Sequence, residues 1–144
     1  MPVLPKEFLG LVQEFIPFNK FLGIEIESAN KGSVRLALPY RPEYIGDASR
    51  PALHGGVIST LIDTCGGFAV WTTISLEDRV STIDLRVDYL SPGAPEKLIA
   101  DGTVVRVGNR VGVVDIRVFQ PSLPDRTVAT GKAVYNIKRK EDVP

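Results

Sequence analysis

The sequence predicts an α+β domain in which a curved antiparallel sheet wraps one central helix, with a short helix at the N-terminus. Three observations carry this. A helical period runs from His54 to about Trp71, where Val57, Ile58, Leu61, Ile62, Cys65, Phe68 and Ala69 make one wide apolar stripe. Almost everything afterwards alternates with period two, the signature of half-buried strands. The joints between those strands are short and built from turn residues, whereas a parallel sheet needs long crossovers. The 144 residues are expected to form one domain, 1–144.

Taken in order, residues 5–16, "PKEFLGLVQEFI", place Phe8, Leu11, Val12, Phe15 and Ile16 on one helical face, and Pro17 should end that helix. "FLGIEIES" and "GSVRLALPY" read as two strands joined at "ANKG" in a hairpin. A loop of Pro and Gly character, "RPEYIGDASRPAL", leads to the central helix; loops of such length tend to be functional. Beyond the helix, "STIDLRVDYL" should turn Ile83, Leu85, Val87 and Tyr89 one way and Thr82, Asp84, Arg86 and Asp88 the other. "KLIADGTVVRV", "RVGVVDIRVF" and "TVATGKAVYNIK" complete four long strands, joined as consecutive hairpins through "SPGAPE", "GN" and "PSLPD".

Bulk composition narrows the function. Lys+Arg and Asp+Glu both total 17, so no broad basic face for nucleic acid is expected. The one cysteine cannot form an internal disulfide and suits a reducing, cytoplasmic compartment. "MPVLPKEFLG" has neither the basic start nor the long apolar run of a signal peptide, and no stretch reaches the length of a membrane span. Metal-ligand spacing is missing, so neither a metal nor another cofactor is expected.

The chemistry concentrates in "PALHGGVISTLIDTCGG", residues 51–67. The first amides of a helix lack intrahelical acceptors and sit at the positive end of its dipole. Gly55 and Gly56 would let a ligand oxygen approach those amides, forming an oxyanion or anion site; they would equally suit a tight loop-to-helix turn. Asp63, flanked by Gly66 and Gly67 at i+3 and i+4, is either a solvated charge or a carboxylate with something close beside it. Helix rise adds a constraint. Gly55 and Asp63 stand about 12 Å apart, so one reacting carbonyl can meet both only if they come from two chains, with the helices antiparallel across a two-fold axis. His54 and Cys65 are about 16 Å apart, too far for a nucleophilic pair. Cys65 reads as a core residue.

Three segments in this order, "PFNKFLGIEI", "LHGGVISTLID" and "STIDLRVDYLSPG", resemble the hotdog-fold acyl-CoA thioesterases of the phenylacetate-pathway and hydroxybenzoyl-CoA type, over about Phe15 to Ile137. The resemblance implies a hotdog fold whose subunits join sheets edge to edge, as a homodimer or a dimer of dimers. It implies Asp63 as catalytic carboxylate, acting as nucleophile or as general base for water. Gly55 would supply the N–H that polarises the thioester carbonyl, His54 would shape that corner, and Thr82 would help place the acid or the water. Gly56 and Gly67 would border the substrate, with Gly67 leaving its part of the pocket bare. Arg106, Asn109 and Arg110, in the turn "VVRVGNRVG", would meet the phosphates of coenzyme A. The chain departs from the pattern at Ala48, where relatives carry Asn or Gln; Asp47, Ser49 and Arg50 are the neighbouring candidates for that duty.

The expected function is therefore hydrolysis of an acyl-CoA thioester to a free acid and coenzyme A. Two alternatives stand beside it, a non-catalytic acyl-CoA sensor, which Ala48 keeps open, and a hydroxyacyl-thioester dehydratase on the same fold.

Overall fold

Pro17 sets the first boundary, because a proline cannot donate to a helix arriving from upstream. In the structure, a computed structural model that describes residues 6–142, Ile16 just before it is extended. α1 (Lys6–Gly10) runs into one wide π-type turn, Leu11–Phe15. Pro17 then opens a second helix, α2 (Pro17–Leu22), at the position where a missing N–H is harmless. Gly23 closes α2 at φ 78°, its N–H reaching the Asn19 and Lys20 carbonyls. Two short helices thus replace the single one expected, and "FLG" ends a helix instead of starting a strand. Phe8 and Val12 are buried as expected, but the wide turn rotates Phe15 out to 76% exposure. Pro5 and the side chain of Leu11 lie outside the described residues.

β1 (Glu25–Asn30) and β2 (Ser33–Leu38) form the expected hairpin about Lys31 and Gly32, the latter at φ 86°. The long loop contains a 3-10 turn, Pro42–Tyr44, and a small hairpin of β3 (Ile45–Asp47) with β4 (Ala52–Leu53). The central helix is α3 (Gly55–Trp71). Four long strands follow: β5 (Arg79–Tyr89), β6 (Leu98–Val107), β7 (Val111–Phe119) and β8 (Ala129–Lys138). The main sheet has six strands in the order β1-β2-β6-β7-β8-β5, every pair antiparallel. α3 lies against β2 and β5 to β8, burying Leu61, Ile62, Cys65 and Phe68 among Leu36, Ala100, Val114 and Ala133.

Two expectations about the strands are corrected. β5 pairs with β8 at the edge of the sheet, while β6 lies between β2 and β7. "SPGAPE" is therefore not a hairpin but a crossover passing the ends of β8 and β7. Its backbone is held by Gln120, which is 4% exposed, accepts from the Ala94 N–H at 3.0 Å and donates to the Ala94 carbonyl at 2.8 Å.

The second correction concerns alternation in β5. Thr82 pairs with Tyr135 and Asp84 with Val134, so Ile83 is an extra, bulged residue, and it is 58% exposed. A bulge of one residue reverses the in–out order on either side of it. Leu85 and Val87 still pack on the core, with Val80 from before the bulge. Thr82 joins that same face instead of the opposite one. Among the described residues, no helix is long and apolar enough to cross a membrane.

Candidate active site

At the start of α3, His54 has the extended backbone of an N-cap, and its Nδ1 accepts the Gly56 N–H at 2.8 Å. The Gly56 amide is thus occupied, and a Cβ there would press on the imidazole at 2.9 Å. Gly55 has another reason to be bare. The Tyr89 ring covers it, 3.2 Å from where a Cβ would stand, and the Tyr89 hydroxyl donates to the Gly55 carbonyl at 3.1 Å. Among the described residues nothing accepts from the Gly55 N–H. Of the two amides expected to form an anion site, one is open and the other is capped by the histidine. Gly55 borders a cavity of about 400 Å³ lined also by His54, Arg50, Tyr89 and Pro92.

The residues around Ala48 are engaged with one another. Asp47 Oδ1 accepts from the Ser49 hydroxyl at 2.6 Å and the Ser49 amide at 3.0 Å, and Oδ2 accepts from Arg50 Nε at 2.8 Å. The Ser49 hydroxyl and then Arg50 hold the Asp47 carboxyl far below the usual carboxylate range. These contacts fold the β3–β4 turn.

Asp63 stands half-buried in mid-helix, and its Oδ1 takes two hydroxyls. Thr82 donates to it at 2.7 Å, and the single Tyr135 hydroxyl proton is shared between the Asp63 main-chain carbonyl at 2.7 Å, its principal acceptor, and Oδ1 at 3.3 Å. Both hydroxyls fall on Oδ1; among the described residues no hydrogen bond reaches Oδ2. Burial, with the Asp63 charge adding to it, pushes the Tyr135 phenol well above its ordinary pKa, so it stays a protonated donor. Tyr135 is 1% exposed.

Tyr135 did not figure among the expected site residues, although a signal for it exists. A tyrosine at an inward position of the last strand must find a partner for its hydroxyl, and two helix glycines offer the space. Gly66 is buried, and a Cβ there would collide with the Tyr135 hydroxyl.

Asp63, Gly67 and Thr82 share a cavity of about 280 Å³ with Ile16, Phe18 and Trp71. His54 and Gly55 are not among its walls. Within one protomer, then, the carboxylate and the open amide face separate cavities, in keeping with the helix rise of about 12 Å between them. Arg106, Asn109 and Arg110 do come together, around a third recess at the β6–β7 turn. All three are exposed, and the turn is fastened by Arg139, whose Nε donates to the Asn109 carbonyl at 2.9 Å. Cys65 is fully buried between β2 and β6, its thiol raised by burial, as a core residue should be. Among the described residues, no group of three His, Cys, Asp or Glu side chains could hold a metal ion.

The pattern that defines the thioesterase superfamily matches residues 51–125, the stretch from the loop before His54 to beyond β7. The chain belongs to the thioesterase superfamily. Its sheet wrapped on one helix is the hotdog fold of that family. The medium/long-chain acyl-CoA thioesterase YigI of Escherichia coli K12 is 35% identical over 135 residues, covering 85% of this chain and 86% of YigI. A Shewanella oneidensis protein related to the thioesterase superfamily superposes with a TM-score of 0.80 at 30% identity, covering 91% of this chain and 93% of its own. A thioesterase family protein from Silicibacter pomeroyi gives a TM-score of 0.79 at 26% identity, over 86% of this chain and 90% of its own.

Proposed function

We propose that this superfamily member hydrolyses an acyl-CoA thioester to the free acid and coenzyme A, at a centre shared by two copies of the chain. The observation that carries the proposal is the Asp63 carboxylate, fixed through Oδ1 by Thr82 and Tyr135 while Oδ2 faces no protein donor. Its position beside a mainly apolar cavity supports the same reading. Asp63 either attacks the thioester carbonyl, to be released by water, or takes a proton from the attacking water. The Gly55 N–H of the second copy stabilises the oxyanion, a contribution typically worth about 3–4 kcal/mol. In the first route the C–S bond breaks as the acyl–Asp63 anhydride forms, and water then hydrolyses the anhydride to the free acid. In the second, water adds to the acyl carbon, the C–S bond breaks, and the proton taken by Asp63 passes to the departing thiolate, giving coenzyme A.

The second copy joins at β5, an edge strand with one neighbour in this protomer. His54 positions the α3 start, and Arg106, Asn109 and Arg110 meet the nucleotide phosphates. No metal or other cofactor takes part, and the buried thiol suits a cytoplasmic setting. The acyl-CoA substrate class is supported by the likeness to YigI.

The deciding experiment assays thiol release from a panel of acyl-CoAs by wild type and Asp63→Asn, with binding measured in parallel. Loss of turnover with binding retained is expected. One observation favours a second reading, an acyl-CoA sensor: Asp47, Ser49 and Arg50 are tied to one another beside Ala48. Acyl-CoA that binds to the wild type and persists uncleaved would establish the sensor.

A further inference from the structure

The two glycines after Asp63 differ in what they are for. Gly66 is accounted for by packing against Tyr135. Gly67 is not. A Cβ at Gly67 would meet only Tyr135 Cε1, at 3.5 Å, an ordinary van der Waals contact, and the residue lies within α3 with no positive φ. Glycine in a helix interior is a poorer choice than alanine, and here neither the backbone nor the core requires it. What Gly67 does border is the cavity beside Asp63.

Asp63, Gly67 and Trp71 follow one another at i, i+4 and i+8 of α3, a single stripe about 12 Å long. Ile16, Phe18, Phe68 and Val80 wall the same cavity. Of the polar residues on that wall, Asn19 donates its amide to the Val12 carbonyl at 3.1 Å and Thr82 and Tyr135 are committed to Asp63, which leaves the Thr64 and Ser81 hydroxyls beside the carboxylate end of the stripe. Of the two arms of an acyl-CoA thioester, the pantetheine arm carries amides that need hydrogen-bond partners when buried, and an aliphatic acyl arm needs none. We propose that this cavity takes the aliphatic acyl chain of the substrate, laid from Asp63 across Gly67 toward Trp71, and that the missing side chain at Gly67 sets the chain length accepted. The inference rests on the assignment of Asp63 as the reacting carboxylate, which places the thioester at one end of the stripe.

The test compares wild type, Gly67→Ala and Gly67→Leu by thiol release from saturated acyl-CoAs, acetyl to palmitoyl. The expected result is a chain-length optimum displaced to shorter chains. The ratio of kcat/KM for long over short chains should fall about tenfold or more in Gly67→Leu, with Gly67→Ala intermediate, given what single methylenes are worth in apolar pockets. An equal loss at every length, or an unchanged profile, overturns the inference. Gly67→Ala keeps the test open if the leucine variant does not fold, because the contact at 3.5 Å accommodates its methyl.

Failure of the catalytic assignment is read separately. Nonhydrolysable thioether analogues of the same chain lengths are titrated into Asp63→Asn and Asp63→Asn/Gly67→Leu. Affinity that rises with chain length in the first protein and not in the second supports the acyl cavity, even if Asp63→Asn still turns over. Affinity with the same length dependence in both overturns it.

Discussion

Thr82 lies directly opposite Tyr135 in the β5–β8 ladder, and both hydroxyls close on the same oxygen of Asp63. One carboxylate oxygen is therefore anchored by a cross-strand pair, and the other takes no hydrogen bond from a described residue. Removing either hydroxyl should loosen the carboxylate. Thr82→Val and Tyr135→Phe are each expected to lower kcat by about tenfold or more, the usual worth of a hydrogen bond to a charged group. KM should change little. Steady-state kinetics beside thermal unfolding checks this; equal kcat in a well-folded variant removes that residue from the positioning of Asp63.

The glycine pair gives a prediction about stability alone. Gly66→Ala drives a methyl into the Tyr135 hydroxyl and should destabilise by about 1–3 kcal/mol, the cost of overpacking. Gly67→Ala meets nothing closer than 3.5 Å and should stabilise by up to about 1 kcal/mol through helix propensity. Chemical denaturation of both variants reads the opposite signs directly.

The two-chain centre predicts complementation. His54, at φ −64° and ψ 133°, has the backbone that a following proline demands, and Gly55 is the first residue of α3. Gly55→Pro therefore deletes the open N–H at the first position of the helix, and Gly55→Ala, which brings the same Cβ against the Tyr89 ring at 3.2 Å, is the control that keeps the amide. Asp63→Asn and Gly55→Pro homomers should each be nearly inactive. Co-expressed and purified as a mixed dimer, they should recover roughly half of the wild-type rate, one intact centre in two. No recovery in a verified mixed dimer would place the whole centre within one chain.

The acid limb of stability should report on Asp78, which is 5% exposed. Burial alone would raise its pKa; the Lys140 and Ser75 amides and the Arg139 guanidinium outweigh this and leave it below the ordinary carboxylate value. A carboxyl lowered on folding binds fewer protons in the native state. Its stabilisation is complete above about pH 4 and disappears as the pH falls through the lowered value. Asp78→Asn should be less stable than wild type at neutral pH and should lose less stability below about pH 4. Denaturation midpoints collected across that range measure the difference.

Much of the architecture was legible because it depends on local periodicity. The stripe from Ile58 to Ala69 and the turn at Gly32 each appear where expected. The 12 Å argument between Gly55 and Asp63 needed only helix rise, and the two residues do border different cavities. Most of the misses share a cause, a partner distant in sequence. Ile83 continues the apolar alternation of Leu85 and Val87, so the bulge is visible only against β8. Pro17 signals a stop and a start with the same chemistry, and Gly23 decides between them. The crossover through "SPGAPE" depends on strand order, which turn residues do not encode. Gly66 and Gly67 are identical in sequence and differ only in what lies above them.

The irregularity at Ile83 also restricts how this gene can change length. Loss of one codon there would restore a straight ladder, and the chain would have to choose. Either Leu85 and Val87 turn toward water, or Thr82 swings away from Asp63. Insertions and deletions at this position should therefore be purged by selection.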